Sequence, residues 1–212
     1  MDLLPKKIKQ YVENNSSTEN SLLKEIARDT YLHVLNPRML SGHYQGRLLS
    51  FLSHMIQPRQ ILEIGTFTGY ATLCLAEGLA SNGMITTIDI NEETVERAKG
   101  HFSKSRFKHQ ITTKTGDAVK IIPKLKAHWD LVFIDADKEN YMNYYEMVMP
   151  RLNPKSFIIV DNVLWDGKVT NENVKDKKTN SLKLFNNFVH QDARVDNLLL
   201  PIRDGLMILM KR

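Results

Sequence analysis

The chain has 212 residues, of which 42% are hydrophobic and 25% charged, and a net charge of +5, values that are ordinary for a globular protein. It shows neither a signal peptide nor an apolar run long enough to cross a bilayer. Its one cysteine, Cys74, excludes a disulfide framework and a cysteine-based metal site, so we expect a cytoplasmic protein. Basic residues are spread along the chain and mixed with acids even in the lysine-rich segment 168–180, which favours a solvated loop over a concentrated nucleic-acid-binding surface.

Helical patterns alone occupy residues 1–58, and one of them is GHYQGRLLSFLSHMI at 42–56. From residue 60 onward, apolar segments of strand length alternate with helical patterns. We predict strands at 60–65, 84–90, 109–115, 130–135 and 156–161, and helices at 70–80, 91–102 and 140–152. Strands that alternate with helices indicate a parallel sheet joined by right-handed crossovers.

The C-terminal part of the chain breaks this alternation. Two apolar segments, 194–202 and 205–212, have only Arg203 and Asp204 between them. That connection is too short for a crossover helix, so we predict an antiparallel hairpin at the sheet edge. Since no linker, repeat or low-complexity segment interrupts the pattern, we predict one domain over residues 1–212, with N-terminal helices at 1–58 and an α/β core at 59–212.

Glycines and acids follow the first three predicted strands. Gly65 and Gly69 lie between the first strand and its helix, where the backbone can approach a ligand at a helix N-terminus. Asp89 ends the second strand and can accept hydrogen bonds from a ribose, and Asp117 after the third can accept one from an adenine amine. Each residue alone is typical of a turn or a cap, and the third glycine of a dinucleotide fingerprint is missing. Together, the three strand ends indicate a site for an adenosine-type cofactor.

Oxygen-bearing side chains follow the fourth and fifth predicted strands. Asp135 comes after one apolar segment, and Asp161 with Asn162 comes after the next. If these strands are neighbours, their carboxyl ends lie at one edge of the sheet and the two carboxylates are adjacent. Two carboxylates and an amide oxygen suit Mg²⁺, with Ca²⁺ and Mn²⁺ as alternatives. Lys138 follows closely enough to act as a base beside the same ion, although Asp137 and Lys138 can also simply begin a helix.

These motifs, in this order, are similar to those of the cation-dependent S-adenosylmethionine O-methyltransferases, the caffeoyl-CoA and catechol O-methyltransferase group. The matching segments are ILEIGTFTGYATLCLAEGL, TTIDIN, GDA, FIDADKENY, VDNVLWDGKV and the terminal LPIRDGLMILMKR, and the similarity extends over nearly the whole chain from about Leu40. The resemblance implies an α/β fold of the Rossmann-like class I methyltransferase type. It implies a seven-stranded, mostly parallel sheet with an antiparallel last strand and helices on both faces. It also implies N-terminal helices that cover the acceptor site, and a homodimer.

The resemblance also implies roles for individual residues. S-adenosylmethionine is expected to contact Ser41, Glu63, Gly65, Thr66, Phe67, Gly69, Asp89, Asp117, Ala118 and Asp135. The divalent cation is expected to bind Asp135, Asp161 and Asn162, and Lys138 and Asp135 are the expected catalytic residues. Two positions depart from the family pattern. Ala71 stands where a serine commonly holds the cofactor carboxylate, with Thr72 expected to point elsewhere, and Tyr44 stands where many relatives have an acid.

The function that the resemblance implies is methyl transfer to one hydroxyl of a vicinal phenolic pair in a small molecule. The cation would hold both oxygens, Lys138 would remove or steady the proton, and Trp165 with the loop 166–180 would cover the acceptor. A hydroxylated uridine in tRNA is an alternative acceptor for the same chemistry. A nicotinamide-dependent oxidoreductase would leave the metal acids without a role. A non-catalytic protein that retains the fold is opposed by the joint presence of Asp135, Lys138, Asp161 and Asn162.

Overall fold

A mixed sheet of seven strands forms the centre of the computed structural model, which describes residues 5–212. In chain order the strands are β1 (Gln60–Ile64), β2 (Met84–Asp89), β3 (Ile111–Thr115), β4 (Trp129–Ile134), β5 (Leu152–Asp161), β6 (Val195–Leu200) and β7 (Leu206–Lys211). Across the sheet their order is β3-β2-β1-β4-β5-β7-β6. The pairs from β3 to β5 are parallel, whereas β7 is antiparallel to both β5 and β6. The predicted parallel sheet with a C-terminal hairpin at its edge is therefore confirmed.

Eight α-helices accompany the strands within residues 5–212. They are α1 (Lys6–Asn14), α2 (Ser21–His33), α3 (Gly42–Ile56), α4 (Tyr70–Ala76), α5 (Glu92–Ser103), α6 (Ala118–Ile121), α7 (Tyr141–Val148) and α8 (Lys177–Gln191). The first three precede β1, as predicted for the N-terminal part, of which residues 1–4 lie outside the described residues. Asn91 caps α5, because its side chain accepts from the backbone N–H groups of Glu93 and Thr94.

Helices cover both faces of the sheet. Successive residues of a strand point to opposite sides, so apolar residues in a row present apolar side chains on both faces. In β1, Ile61 belongs to one core and Leu62 to the other. The core around Ile61 includes Leu49 of α3, and the core around Leu62 includes Phe185 of α8. Two buried cores therefore fix the strands from both sides, which confirms the predicted α/β class and helices on both faces.

Several boundaries differ from the predicted ones. The helix predicted at 70–80 ends at Ala76, and Gly78 beyond it packs so closely on α3 that a Cβ there would lie 2.2 Å from backbone atoms of Ser53 and His54. The helix predicted at 140–152 ends at Val148, just before Pro150, which has no N–H to continue it. β5 begins at Leu152, four residues earlier than predicted. β3 begins at Ile111, two residues later than predicted.

Candidate active site

The carboxyl ends of β1, β4 and β5 meet at one edge of the sheet. The register places Ile64 beside Ile134 and Ile134 beside Val160. Asp135 directly follows one of these partners and Asp161 the other. The fourth and fifth strands are neighbours, which was the condition for the two acids to meet, and their pairing brings the acids to adjacent positions at this edge.

Gly65 and Gly69 are required by the protein's own packing. Gly65 has φ +105°, and a Cβ there would lie 2.0 Å from the backbone oxygen of Asp135. Gly69 has φ +84°, and a Cβ there would lie 2.4 Å from the ring of Phe102. Both values of φ lie in the region that glycine tolerates best. The sequence pattern predicted that the backbone approaches a ligand here, which stays a prediction, and the groups nearest to both glycines are parts of this chain.

Glu63 lies at the end of β1 in a fully buried network of hydroxyl groups. Its Oε2 accepts hydrogen bonds from Thr72 and, at 2.5 Å, from Thr87. Because Thr87 uses its hydrogen on Glu63, Thr66 must be the donor in the 2.6 Å contact between the two threonines. Burial is the main cause that raises the pKa of Glu63 to about 8. The hydrogen bonds from Thr72 and Thr87 lower this pKa, and the charges of Asp135 and Asp89 raise it by smaller amounts.

The hydroxyl of Thr72 is thus engaged by Glu63 and does not stand in for the missing serine. Ala71, next to it on α4, is buried. The Glu63 Oε1 is a buried oxygen without a hydrogen-bond partner among the described residues. Such an atom is unusual in a folded interior, and it marks this end of the site as able to receive a donor from a ligand.

Asp89 and Asp117 hold the loops that follow β2 and β3. Asp89 accepts from the backbone N–H of Phe67 at 2.8 Å and from that of Asn91 at 3.0 Å. Asp117 caps α6 by accepting from the N–H of Val119 at 3.0 Å. Ala118 begins that helix and is buried. Both acids therefore have the turn and cap roles weighed as alternatives, and their carboxylates keep further lone pairs for a ligand.

Lys138 is buried between the two strand ends. Only 7% of it is exposed, and its Nζ lies 3.0 Å from Asp135 Oδ1 and 2.7 Å from the hydroxyl of Tyr141. Tyr141 in turn donates to the backbone oxygen of Asp161 at 2.8 Å. Burial, followed by the charge of Asp135, raises the pKa of the Tyr141 hydroxyl, so it serves as a neutral donor and acceptor. Lys138 is thereby fixed between the ends of β4 and β5.

Asp161 is an almost fully buried carboxylate. Its Oδ1 accepts from the backbone N–H of Asn162 at 2.7 Å, and its Oδ2 accepts from the side-chain amide of Gln45 at 2.6 Å. Asn162 itself has φ +61°, a left-handed conformation that asparagine tolerates better than most residues. Burial and the neighbouring charge of Asp135 raise the pKa of Asp161 to about 7.

Trp165 and the N-terminal helices lie around this group. The ring centroid of Trp165 is 5.9 Å from Lys138 Nζ and 5.8 Å from Lys168 Nζ. A cavity of about 250 Å³ is lined by Ser41, Tyr44, Arg203 and residues of α1 and α2. A larger, open depression of about 550 Å³ lies at the amino ends of β1 and β4, and its lining includes none of the predicted site residues. His43 also lines the smaller cavity and contacts the backbone oxygen of Ser17 at 2.7 Å.

Three residues of this arrangement were not singled out from the sequence. Tyr141 lies three positions after Lys138 in the helical stretch, and that spacing was the available signal. Gln45 and Arg203 reach the site from 116 and 42 positions away from Asp161 in the chain, and no local pattern marks them. Among residues 5–212, no group of three histidine, cysteine or acidic side chains is arranged to hold a metal ion, so the predicted set depends on the amide of Asn162.

No helix within the described part of the chain is both long and apolar enough to span a membrane.

Comparison with known proteins gives a consistent family. Residues 13–212 match a family model described as O-methyltransferase. A caffeoyl-CoA O-methyltransferase of Stellaria longipes is 31% identical over 217 residues, covering 96% of this chain and 90% of the relative. A catechol O-methyltransferase of Niastella koreensis is 32% identical over 162 residues, covering 74% and 73%.

Solved structures share both the fold and part of the sequence. The O-methyltransferase TomG of Streptomyces achromogenes, in complex with S-adenosylmethionine, has a TM-score of 0.87 and 26% identity over 97% of this chain and 96% of that one. An O-methyltransferase of Bacillus cereus, in complex with S-adenosylhomocysteine, has a TM-score of 0.86 and 27% identity over 97% of each chain. The chain belongs to the O-methyltransferase family, within the S-adenosylmethionine-dependent enzymes of the class I methyltransferase fold.

Proposed function

We propose that the chain transfers a methyl group from S-adenosylmethionine to one hydroxyl of a vicinal phenolic diol in a small molecule, with a divalent cation in the site. The observation that carries this proposal is the group formed at the ends of β4 and β5 by the half-buried Asp135 with the buried Lys138 and Asp161. The acceptor class is supported by relatives named as caffeoyl-CoA and catechol O-methyltransferases.

The cofactor is proposed to lie across the ends of β1, β2 and β3. The residues that would contact it are those predicted from the sequence: Ser41, Glu63, Gly65, Thr66, Phe67, Gly69, Asp89, Asp117, Ala118 and Asp135. The unpartnered Oε1 of Glu63 supports a ligand donor at this end. The free lone pairs of Asp89 and Asp117 support hydroxyl and amine donors further along the edge.

The cation is proposed to bind Asp135, Asp161 and Asn162. These residues offer only hard oxygen ligands, which fit Mg²⁺ best and also suit Ca²⁺ or Mn²⁺. Asp161 fits this role because each of its oxygens accepts one hydrogen bond and keeps a lone pair. Two acids that lie close together at a buried strand end also repel one another, and a bound cation would offset that repulsion. When bound, the cation would lower the pKa of a chelated diol.

The protein side chains would orient the acceptor and hold its proton. Lys138 Nζ uses hydrogen bonds on Asp135 and Tyr141, and its remaining position can face the acceptor hydroxyl. Trp165 lies beside that nitrogen and would form a wall against water. The cavity lined by Ser41 and Tyr44 supports the proposal that the N-terminal helices cover the acceptor.

The test is methyl transfer from labelled S-adenosylmethionine to a panel of a catechol, the matching monophenol and bulk tRNA, each with Mg²⁺ and with EDTA. We expect Mg²⁺-dependent labelling of the catechol and not of the monophenol, because only the diol offers two adjacent oxygens. Asp161→Ala should abolish the labelling. The matched control is Asp196→Ala, which should leave the labelling unchanged. Asp196 is an exposed acid on β6 that forms an ion pair with Arg212.

Two outcomes would contradict this proposal. Labelling of the catechol that persists in EDTA would refute the role of the cation. Labelling of tRNA alone, weakening steeply as salt is raised, would identify the hydroxylated uridine as the acceptor and replace the small molecule.

A further inference from the structure

Gln45 connects the N-terminal helices to the proposed metal site. It lies on α3, its side chain is completely buried, and its Nε2 donates to Asp161 Oδ2 at 2.6 Å. Asp161 is one of the three ligands in the function proposed above, and the present inference rests on that proposal. A buried amide in such a place must satisfy both its oxygen and its nitrogen, because an unpaired polar group is costly in the interior.

Arg203 determines which way the Gln45 amide points. The oxygen and nitrogen of a glutamine side chain are distinguished only by their partners. Arg203 Nη1 lies 3.2 Å from Gln45 Oε1, and a guanidinium can only donate. The amide oxygen must therefore face Arg203, and the NH₂ group must face the carboxylate of Asp161.

Arg203 is itself held by several backbone oxygens. Its Nη1 donates to Leu40 at 2.9 Å and to Ser41, and its Nη2 donates to Arg38 at 3.3 Å. These oxygens belong to the segment that leads into α3. Arg203 stands in the turn between β6 and β7 with φ +51°, so the β6–β7 turn and the start of α3 are joined by this one side chain.

The same turn supports the loop that follows Asp161. The backbone oxygens of Asp204 and Gly205 accept from the N–H groups of Leu164 at 2.8 Å and Val163 at 3.2 Å. A Cβ on Gly205 would lie 2.5 Å from the side chain of Leu164, so the turn and the loop are in tight contact. The β6–β7 turn therefore holds the loop of Asn162 through its backbone, and it reaches the carboxylate of Asp161 through Arg203 and Gln45 in series.

We propose that Gln45 and Arg203 are positioning residues, which orient the Asp161 carboxylate for the cation. Gln45 occupies one lone pair of Oδ2, and the N–H of Asn162 occupies one of Oδ1. The carboxylate cannot rotate without losing both bonds, so its remaining lone pairs keep fixed directions. Partners that orient a metal ligand typically change metal affinity by about 10- to 100-fold when they are removed.

The experiment measures binding of Mn²⁺ alone, from the signal of free Mn²⁺ in electron paramagnetic resonance, to the full-length protein. Gln45→Met keeps the length of the side chain and removes the donor. It should weaken Mn²⁺ binding by at least about tenfold, with S-adenosylhomocysteine affinity close to that of the wild type. The matched control is Gln110→Met, which removes an amide bonded to the backbone oxygen of Gly83, away from the site, and should bind Mn²⁺ as the wild type does.

A second pair of variants tests the link to Arg203. Arg203→Met should weaken Mn²⁺ binding, whereas Arg203→Lys, which keeps a donor for the Gln45 oxygen, should bind Mn²⁺ more tightly than Arg203→Met. A purely structural role would lower the melting temperature of both variants without separating their Mn²⁺ affinities. This pair also supplies the decisive comparison if Gln45→Met does not fold.

The outcomes separate this inference from the proposed function. A wild-type protein that does not bind Mn²⁺ would contradict the proposed metal site and this inference with it. A wild-type protein that binds Mn²⁺ and loses it in Asp161→Ala, together with a folded Gln45→Met that binds within about twofold of the wild type, would overturn only the inference about Gln45.

Discussion

Glu63→Gln should change how the stability of the protein depends on pH. The side chain of Glu63 is fully buried, and burial is the main cause that raises its pKa to about 8 from an ordinary value of 4.5. Glutamine has nearly the same shape, can accept the hydrogen bonds from Thr72 and Thr87 through its oxygen, and does not ionise. The comparison therefore isolates the cost of ionising a buried carboxyl at this position.

The sign and magnitude follow from linkage between protonation and folding. Because the folded pKa is above the unfolded pKa, the contribution of Glu63 to stability is fully present below pH 4.5 and is lost as the pH rises through 8. With about 1.36 kcal/mol for each pKa unit, Glu63→Gln should gain stability over the wild type as pH rises. The gain should be about 3 kcal/mol at pH 7 and about 5 kcal/mol above pH 8, relative to the difference at pH 4.

The assay is urea denaturation of both proteins, without cofactor, at intervals from pH 4 to pH 9. Contributions of other titrating groups are present in both proteins and largely cancel in the difference. We expect a difference in the free energy of unfolding that grows through this range. A difference that stays constant with pH would refute the reasoning, because it would mean that folding does not shift the pKa of Glu63.

Three further substitutions test the geometry of the site. Gly65→Ala should destabilise the protein by more than about 3 kcal/mol, since the added Cβ would meet the backbone oxygen of Asp135; an unchanged urea midpoint would contradict the close contact. Tyr141→Phe should cost about 1 to 3 kcal/mol in denaturation, because it leaves the oxygen of Asp161 and one donor of Lys138 without a partner; a neutral effect would mean that water replaces the hydroxyl. Lys138→Met should lower kcat by at least about 100-fold with S-adenosylhomocysteine binding retained, and near-normal turnover would remove Lys138 from the proposed proton transfer.

The sheet was predictable because its segments are short, apolar and regularly alternating. All seven strands were expected, and the hairpin followed from the short connection around Arg203 and Asp204. Neighbouring strands four and five were enough to bring Asp135 and Asp161 together. Strand-end acids can be located from sequence, because the fold brings the carboxyl ends of parallel strands to one edge.

The hydrogen-bond partners of those acids were not predictable in the same way. Gln45 reaches Asp161 across 116 positions of the chain, and Arg203 reaches Gln45 across 158. These contacts exist only because α3 and the β6–β7 turn pack on the same strand ends. Gly65 illustrates a different limit, since its pattern predicted a close approach of backbone to a ligand and gave no sign that the chain itself, at Asp135, also lies against this glycine.

The most direct test of the proposed mechanism is a crystal structure of the protein with S-adenosylhomocysteine and Mn²⁺, with the anomalous signal of manganese measured. We expect one strong anomalous peak within ligand distance of the oxygens of Asp135, Asp161 and Asn162, with S-adenosylhomocysteine across the ends of β1 to β3. The absence of a peak at that position in crystals soaked with Mn²⁺, whether or not Mn²⁺ is found elsewhere on the protein, would contradict the metal-assisted methyl transfer proposed for this site.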